Sequence, residues 1–399
     1  MSRARLKTWL FVLEGVNSFA TVYYAYYLYF FMQKVFGFDN KANLALAAGN
    51  GLVCAFAAWW GGRFADRAGC FAALKLGFGL MGAALLAGLC ITSAGGQVLV
   101  MVFYIVGMCF TWPTLEALVS QGEGPAELPR EIGLYNVVWA ATGALAYFTG
   151  GAILDRLGLK SMFYVPAAMH WLQFALVFPL HRSFRKLESR AEYIPVAGPV
   201  PNSFRPIQSG APSVPDGRTF LRLAWLANPL AYIAINTLIA VIPGLARDFG
   251  LTATFAGFCC SLWCFSRLAA FFALWHWTGW HYRFSWLIAA YLAMTLAFAA
   301  ILMSHSLTAL LLCQLVFGGA AGLLYYSSLL YSMDLGQAKG DHSGIHEAAI
   351  GMGNFAGPAV GAASLYFIPK FPGSGAIAVS ALLLAGFGAL VTLWRRGSS

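Results

Sequence analysis

The chain has 399 residues, of which 60% are hydrophobic and only 10% charged, and its mean hydropathy is +0.69. These values exclude an ordinary soluble domain, where about a quarter of the residues are charged. The net charge of +10 would suit nucleic acid if it formed a patch, but the basic residues fall between apolar runs, where topology accounts for them and no nucleic-acid partner is expected.

A membrane-spanning helix needs roughly 20 apolar residues. Twelve runs meet that length, at 8–31, 42–62, 72–93, 97–120, 132–153, 160–180, 219–242, 253–275, 284–304, 308–332, 345–367 and 374–394. The first contains Glu14 and leads into a second run, so it reads as a retained helix, not a cleaved leader. With the N-terminus in the cytoplasm, 18 lysines and arginines fall on the cytoplasmic side, six on the other, and Arg267 inside a run. The excess satisfies the positive-inside rule, so both termini are expected in the cytoplasm of a cell that carries this multi-pass protein in its plasma or inner membrane. The eight cysteines lie almost wholly within the runs and form no metal pattern. They read as small packing residues, and no metal or cofactor is expected.

Residues 181–218 separate the sixth and seventh runs. They open on the basic stretch His181-Arg182-Ser183-Phe184-Arg185-Lys186 and continue with Pro195, Pro199, Pro201, Pro206, Pro212 and Pro215. So many prolines preclude a regular helix and describe a tether. The expected organisation is an all-α integral membrane protein of twelve transmembrane helices in two six-helix bundles, 1–180 and 219–399, joined by a cytoplasmic linker at 181–218.

After the second run the chain reads Gly62-Arg63-Phe64-Ala65-Asp66-Arg67-Ala68-Gly69. This resembles the G-x-x-x-D-R-x-G signature loop of the major facilitator superfamily, at the expected place between the second and third helices. Cys70 and Phe71 stand where that family usually carries basic residues. The resemblance implies gating roles for Gly62, Asp66, Arg67 and Gly69, with Asp66 facing a helix dipole and basic groups. The corresponding place in the second half, Trp275 to Arg283, keeps Gly279 but has no Asp-Arg pair. Gly353-Asn354-Phe355-Ala356-Gly357-Pro358-Ala359-Val360-Gly361 is similar to the family's antiporter pattern, but lies in the eleventh helix, where the family carries it in the fifth. Helix packing explains it equally well.

Ionisable residues inside apolar helices mark transport pathways, because a charge at that depth needs a partner or water. Glu14, Asn17, Ser18, Thr21 and Tyr24 follow i, i+3, i+4, i+7 spacing and share one face of the first helix. Glu116 follows Trp112-Pro113 in the fourth, where the proline frees a carbonyl and bends the helix. Its competing role is to pair with Arg130 near the headgroups. Arg267 stays charged, so it needs Glu347, a first-half acid or a substrate anion. His346-Glu347 opens the eleventh run, where the helix dipole favours the acid or the pair relays protons. The expected proton-coupling residues are thus Glu14, Glu116, Glu347 and His346. The expected substrate-binding residues are Asn17, Thr21, Tyr24, Asn136, Trp139, Tyr232, Asn236, Arg267, Tyr325 and Asn354.

No Walker-type phosphate loop and no nucleophile–base pair occurs, and no H-E-x-x-H follows His346, so an enzyme is not expected. The expected activity is secondary active transport of a small organic solute by alternating access, proton-coupled, with the chain acting as a monomer. Acids and aromatics lean towards drug or lipophilic-solute efflux by antiport. The alternative is transport of an organic anion, metabolite or sugar, favoured by Arg267. An embedded enzyme or receptor on the same fold is the distant third.

Overall fold

The computed structural model describes residues 2–123, 127–189, 217–334 and 340–397, with the side chains at 129 and 333–347 outside that description. The helices are α1 Arg3–Phe36, α2 Asn40–Ala68, α3 Cys70–Cys90, α4 Ala94–Ser120, α5 Leu128–Leu157, α6 Ser161–Ser189, α7 Gly217–Asp248, α8 Ala253–Cys260, α9 Leu262–His276, α10 Phe284–Met303, α11 Leu307–Asp334, α12 Gly340–Phe367 and α13 Ser374–Gly397. Counting α8 and α9 together, ten are long and apolar enough to cross a membrane among the described residues. The 34-residue α1 is not among them. Glu14, Asn17 and its tyrosines dilute its apolar character. Polar helix surface of that kind survives in a membrane protein only where other helices cover it.

Local chemistry sets the helix ends. The Asp39 carboxylate accepts from Ala42 N–H at 2.8 Å and starts α2, and the Thr252 hydroxyl accepts from Phe255 N–H and starts α8. Both are side-chain N-caps. Gly37, at φ 71°, stops α1 while its N–H and that of Phe38 bond the Gln33 and Met32 carbonyls. A residue with a Cβ resists that left-handed turn. Residues 62–68, expected as a loop, instead complete the last two turns of α2, and Gly69 alone separates α2 from α3. The basic stretch at 181–186 belongs to α6. The proline-rich part of the expected linker lies outside the described residues.

Most of helices α1–α6 pack on one another, as do most of α7–α13; α2 packs chiefly on α12 and α8 chiefly on α5, and these contacts, with α2 on α7 and α5 on α9, join the two groups. The face that carries the start of α1 is called here the near face, and the opposite one the far face. From mid-depth towards the far face the groups meet backbone to backbone. A Cβ on Gly51 would lie 2.3 Å from Phe355 N, and one on Gly151 would lie 1.9 Å from the Ala253 carbonyl. Close backbone approach of this kind is what small residues allow in membrane helices. The glycines of the α12 pattern serve packing in the same way: Cβ atoms on Gly353 and Gly357 would strike the Pro229 and Ile233 carbonyls of α7.

At the far end of α5 the sequence Gly151-Ala152-Ile153-Leu154-Asp155-Arg156-Leu157-Gly158 repeats the spacing of Gly62 to Gly69. The closing glycines share a backbone conformation, with Gly69 at φ 89°, ψ 148° and Gly158 at φ 81°, ψ 165°. Because α2 and α5 run in opposite directions, one copy ends at the near face and the other at the far face. Asp155 accepts from Thr254 N–H at 3.0 Å and from the Thr254 hydroxyl at 2.5 Å, and so ties α5 to the first turn of α8 across the two groups.

Candidate functional site: two chambers between the helix groups

Two internal chambers lie where the groups face each other. One, with a volume of about 100 Å³, is lined by Glu14, Glu116, Tyr135, Pro113 and Tyr325 among others. The second, of about 130 Å³, is lined by Thr21, Tyr24, Tyr104, Asn236 and Arg267 among others. Cys54, Met108, Trp112, Trp139, Tyr232 and Asn354 line both, and so form the wall between them. A water needs about 10–15 Å³ on this scale. Each chamber therefore has room for several waters or a small solute.

The acidic side of the first chamber comes from α1 and α4, with α5 beside them, and α2, α7, α11 and α12 complete its lining. Glu14 is fully buried. One carboxyl oxygen accepts from the Ser18 hydroxyl at 2.6 Å, one helical turn away, as the predicted stripe requires. The other has no hydrogen-bond partner. Tyr135, Trp112 and Glu116 surround the same carboxyl, and the Trp112 indole N–H is likewise without a partner. Among the described residues Glu116 makes no ion pair, so it does not pair with Arg130. The bend expected at Pro113 has a structural use: a Cβ on Gly61 would lie 2.3 Å from the Cys109 carbonyl, so α2 packs directly against the carbonyl that the proline leaves without its helical donor.

The cationic chamber centres on Arg267, which is 6% exposed. Its guanidinium lies 4.6 Å from the Trp139 ring centre and 4.8 Å from that of Trp263. It makes no ion pair among the described residues, and its Nε has no hydrogen-bond partner. The Trp139 indole N–H donates to Asn136 Oδ1 at 2.9 Å, which fixes the ring that covers the guanidinium. Asn236 donates to the Asn354 carbonyl at 3.0 Å and joins α7 to α12 at the chamber wall.

Of the residues expected to meet a solute, Thr21, Tyr24, Trp139, Tyr232, Asn236, Arg267, Tyr325 and Asn354 line one chamber or both. Asn17 and Asn136 line neither. Asn17 is fully buried and Asn136 supports Trp139. Gly62, Asp66, Arg67 and Gly69 lie at the near end of α2, away from both chambers. The proton role expected of His346 and Glu347 falls on side chains outside the described residues.

Three features escaped the sequence. Tyr135, beside Glu14, immediately precedes Asn136 and carries no sequence pattern of its own. A buried polar chain runs from the Tyr104 hydroxyl to His170 Nε2 (3.0 Å), from His170 Nδ1 to Gln173 Oε1 (3.0 Å), and from the Gln173 amide to the Leu13 carbonyl (2.8 Å). It begins at the wall of the cationic chamber and ends one residue before Glu14. The signal for it was the His170 and Gln173 pair, the polar exceptions in an otherwise apolar run. At the near face Arg3 (2.6 Å) and Lys7 both engage Glu123, and Lys7 reaches Glu131 (3.4 Å), which binds the first turns of α1 to the α4–α5 connection.

No protein-family model and no curated protein sequence matches the chain. Among solved structures it is similar to the human organic anion transporter MFSD10 (TETRAN), with a TM-score of 0.67 at 14% identity, covering 98% of this chain and 100% of that one. It is also similar to the nucleoside transporter NupG, with a TM-score of 0.65 at 14% identity, covering 98% of this chain and 99% of that one. Both are major facilitator transporters. The chain has the major facilitator fold. The signature on α2 and the whole-length likeness agree on this, and the chain is a multi-pass membrane protein. The two chambers occupy the space between the two helix groups of this fold.

Proposed function

We propose that this chain is a proton-coupled secondary transporter of a small organic solute, working by alternating access. The observation that carries the reading is the placement of Glu14 and Glu116: two carboxylates without an ion-pair partner among the described residues open on one chamber and share a wall with a second chamber suited to a solute. Two such acids repel each other when both are ionised, so they exchange protons as a unit. Trp112 and Trp139 in the wall let occupation of one chamber act on the other.

The reading includes twelve membrane crossings in two bundles, 1–180 and 219–399, with the termini in the cytoplasm, a plasma-membrane location and a monomeric transporter. It also includes near-face gating by Gly62, Asp66, Arg67 and Gly69, and a part for His346 and Glu347 in the proton path. The two similar structures are named for an organic anion and for nucleosides, so the fold leaves the solute open. Efflux of lipophilic compounds by antiport draws support from the aromatic lining. Arg267 supports an anion instead.

The test is proton movement. Purified protein in proteoliposomes with a pH dye inside should move protons when solutes are added from a panel of organic acids, nucleosides, sugars and lipophilic amines. Glu14→Gln and Glu116→Gln should each abolish that signal while solute exchange without a gradient persists. Solute-driven proton movement that survives both substitutions refutes the coupling role.

A further inference from the structure

We propose that the larger chamber takes a small organic monoanion, a carboxylate on an aromatic or branched apolar body, with the carboxylate held edge-on by Arg267. The inference rests on the transporter reading and names the solute class for it.

Among the described residues that line this chamber, Arg267 is the charged one. An arginine cannot shed its charge by losing a proton. Among the described residues no carboxylate meets it, so its hydration is lost and two indole rings restore only part of that loss. A ligand carboxylate would supply the counter-charge that the described residues do not. The geometry restricts that ligand further. The Trp139 and Trp263 ring centres lie 4.6 and 4.8 Å from the guanidinium carbon. The buried Nε lacks a partner and offers its edge of the guanidinium to an acceptor. A planar carboxylate matches that edge with two parallel hydrogen bonds. One arginine neutralises one charge, and a second negative charge would meet no second cation among the described lining residues. An organic cation finds no carboxylate there, because Glu14 and Glu116 lie beyond the wall formed by Trp112 and Trp139. Tyr24, Tyr104 and Tyr232 offer ring faces, and Ile235 and Ile239 offer aliphatic surface, for the body of the molecule.

The charge count adds a consequence. One monoanion and one proton moving in the same direction transfer no net charge. Symport of this class responds to a pH gradient and is indifferent to membrane potential, whereas antiport of the same pair moves two charges.

Three molecules of nearly equal shape separate the charges: benzoate, benzamide and benzylammonium. Calorimetry on the purified wild-type protein in detergent should show benzoate binding at least about 30-fold more tightly than the other two, as expected when a buried charge pair is lost. Arg267→Lys keeps the charge but loses the planar fork, and should weaken benzoate by about tenfold. Arg267→Met should bring benzoate down to the level of benzamide. Benzoate should also raise the melting temperature of the wild type and not that of Arg267→Met, a readout that shows both proteins folded. The proposal is overturned if benzamide or benzylammonium binds as well as benzoate, if benzoate binding survives Arg267→Met, or if none of benzoate, phenylacetate and benzenesulfonate binds. These measurements use no gradient. A failure here leaves the proton role of Glu14 and Glu116 standing, and a failure of proton movement leaves the anion site standing.

Discussion

Replacing Gly51 with alanine should open the far face. The added Cβ would sit 2.3 Å from Phe355 N, 2.4 Å from the Asn354 carbonyl carbon and 2.7 Å from its oxygen, all backbone atoms of α12. Ordinary contact begins near 3.4 Å, so α2 and α12 must separate by about 1 Å, and no side-chain rotation relieves the clash. Overpacking of this kind costs about 1–3 kcal/mol. The cost falls only on the arrangement in which α2 and α12 touch, so it shifts a population and leaves the other arrangement untouched. At ~1.4 kcal/mol per decade the ratio of closed to open far faces should fall about 5- to 160-fold. Gly49→Ala is the control: it lies two residues away on the same helix, and a Cβ there meets nothing within 4 Å. Spin labels at Lys160 and Arg247, both exposed at the far face on opposite helix groups, would report the separation by electron–electron distance measurement. The distribution should lengthen in Gly51→Ala and match wild type in Gly49→Ala. Identical distributions in all three proteins would refute the claim that this backbone contact holds the far face shut.

Asp155→Asn and Thr254→Val should each lengthen the same label distance, the valine more, because it removes a donor outright while asparagine keeps an acceptor. An unchanged distance in Thr254→Val would show that the tie does not hold the face. His170→Ala should lower the melting temperature, since it leaves Gln173 Oε1 buried without its partner, at a cost of roughly 1–3 kcal/mol, while the Tyr104 hydroxyl keeps its bond to Thr21. His170→Gln should recover part of that loss, and equal melting for His170→Ala and wild type would remove the chain from the list of stabilising features. Glu123→Gln should destabilise by about 1 kcal/mol or less, with the difference shrinking at high salt, as for ion pairs near a surface. A loss that is independent of salt would mean that the Glu123 cluster acts through packing instead.

The apolar helices and the Glu14–Ser18 contact were legible in the sequence, because both are written along single helices. Glu14 and Ser18 are one turn apart, and helical spacing alone predicts that they meet. Spacing also grouped Asn17 with that stripe, yet Asn17 is buried outside both chambers. Periodicity assigns a face and not the depth at which that face meets open space. Arg267 was legible as a charge in need of something, but its surroundings were not. Trp139 comes from α5 and Trp263 from α9, and only the packing of the two groups brings them to the same guanidinium. The Tyr104–His170–Gln173 chain draws on α4, α6 and α1, so no single stretch of sequence contains it. The motif at Gly62 to Gly69 was readable as a pattern but not as helix, since its two glycines suggested a loop.

The repeated eight-residue pattern has a consequence for how such a protein changes over generations. Asp155 ties α5 to α8 at the far face, and Asp66 occupies the matching place at the end of α2 on the near face. On the alternating-access reading proposed above, the side on which the molecule rests depends on the balance between contacts at the two faces. Substitutions there would shift that balance without altering a residue that lines either chamber. Directional bias and chemical specificity can therefore evolve separately in this chain, one at its two rims and the other at its centre.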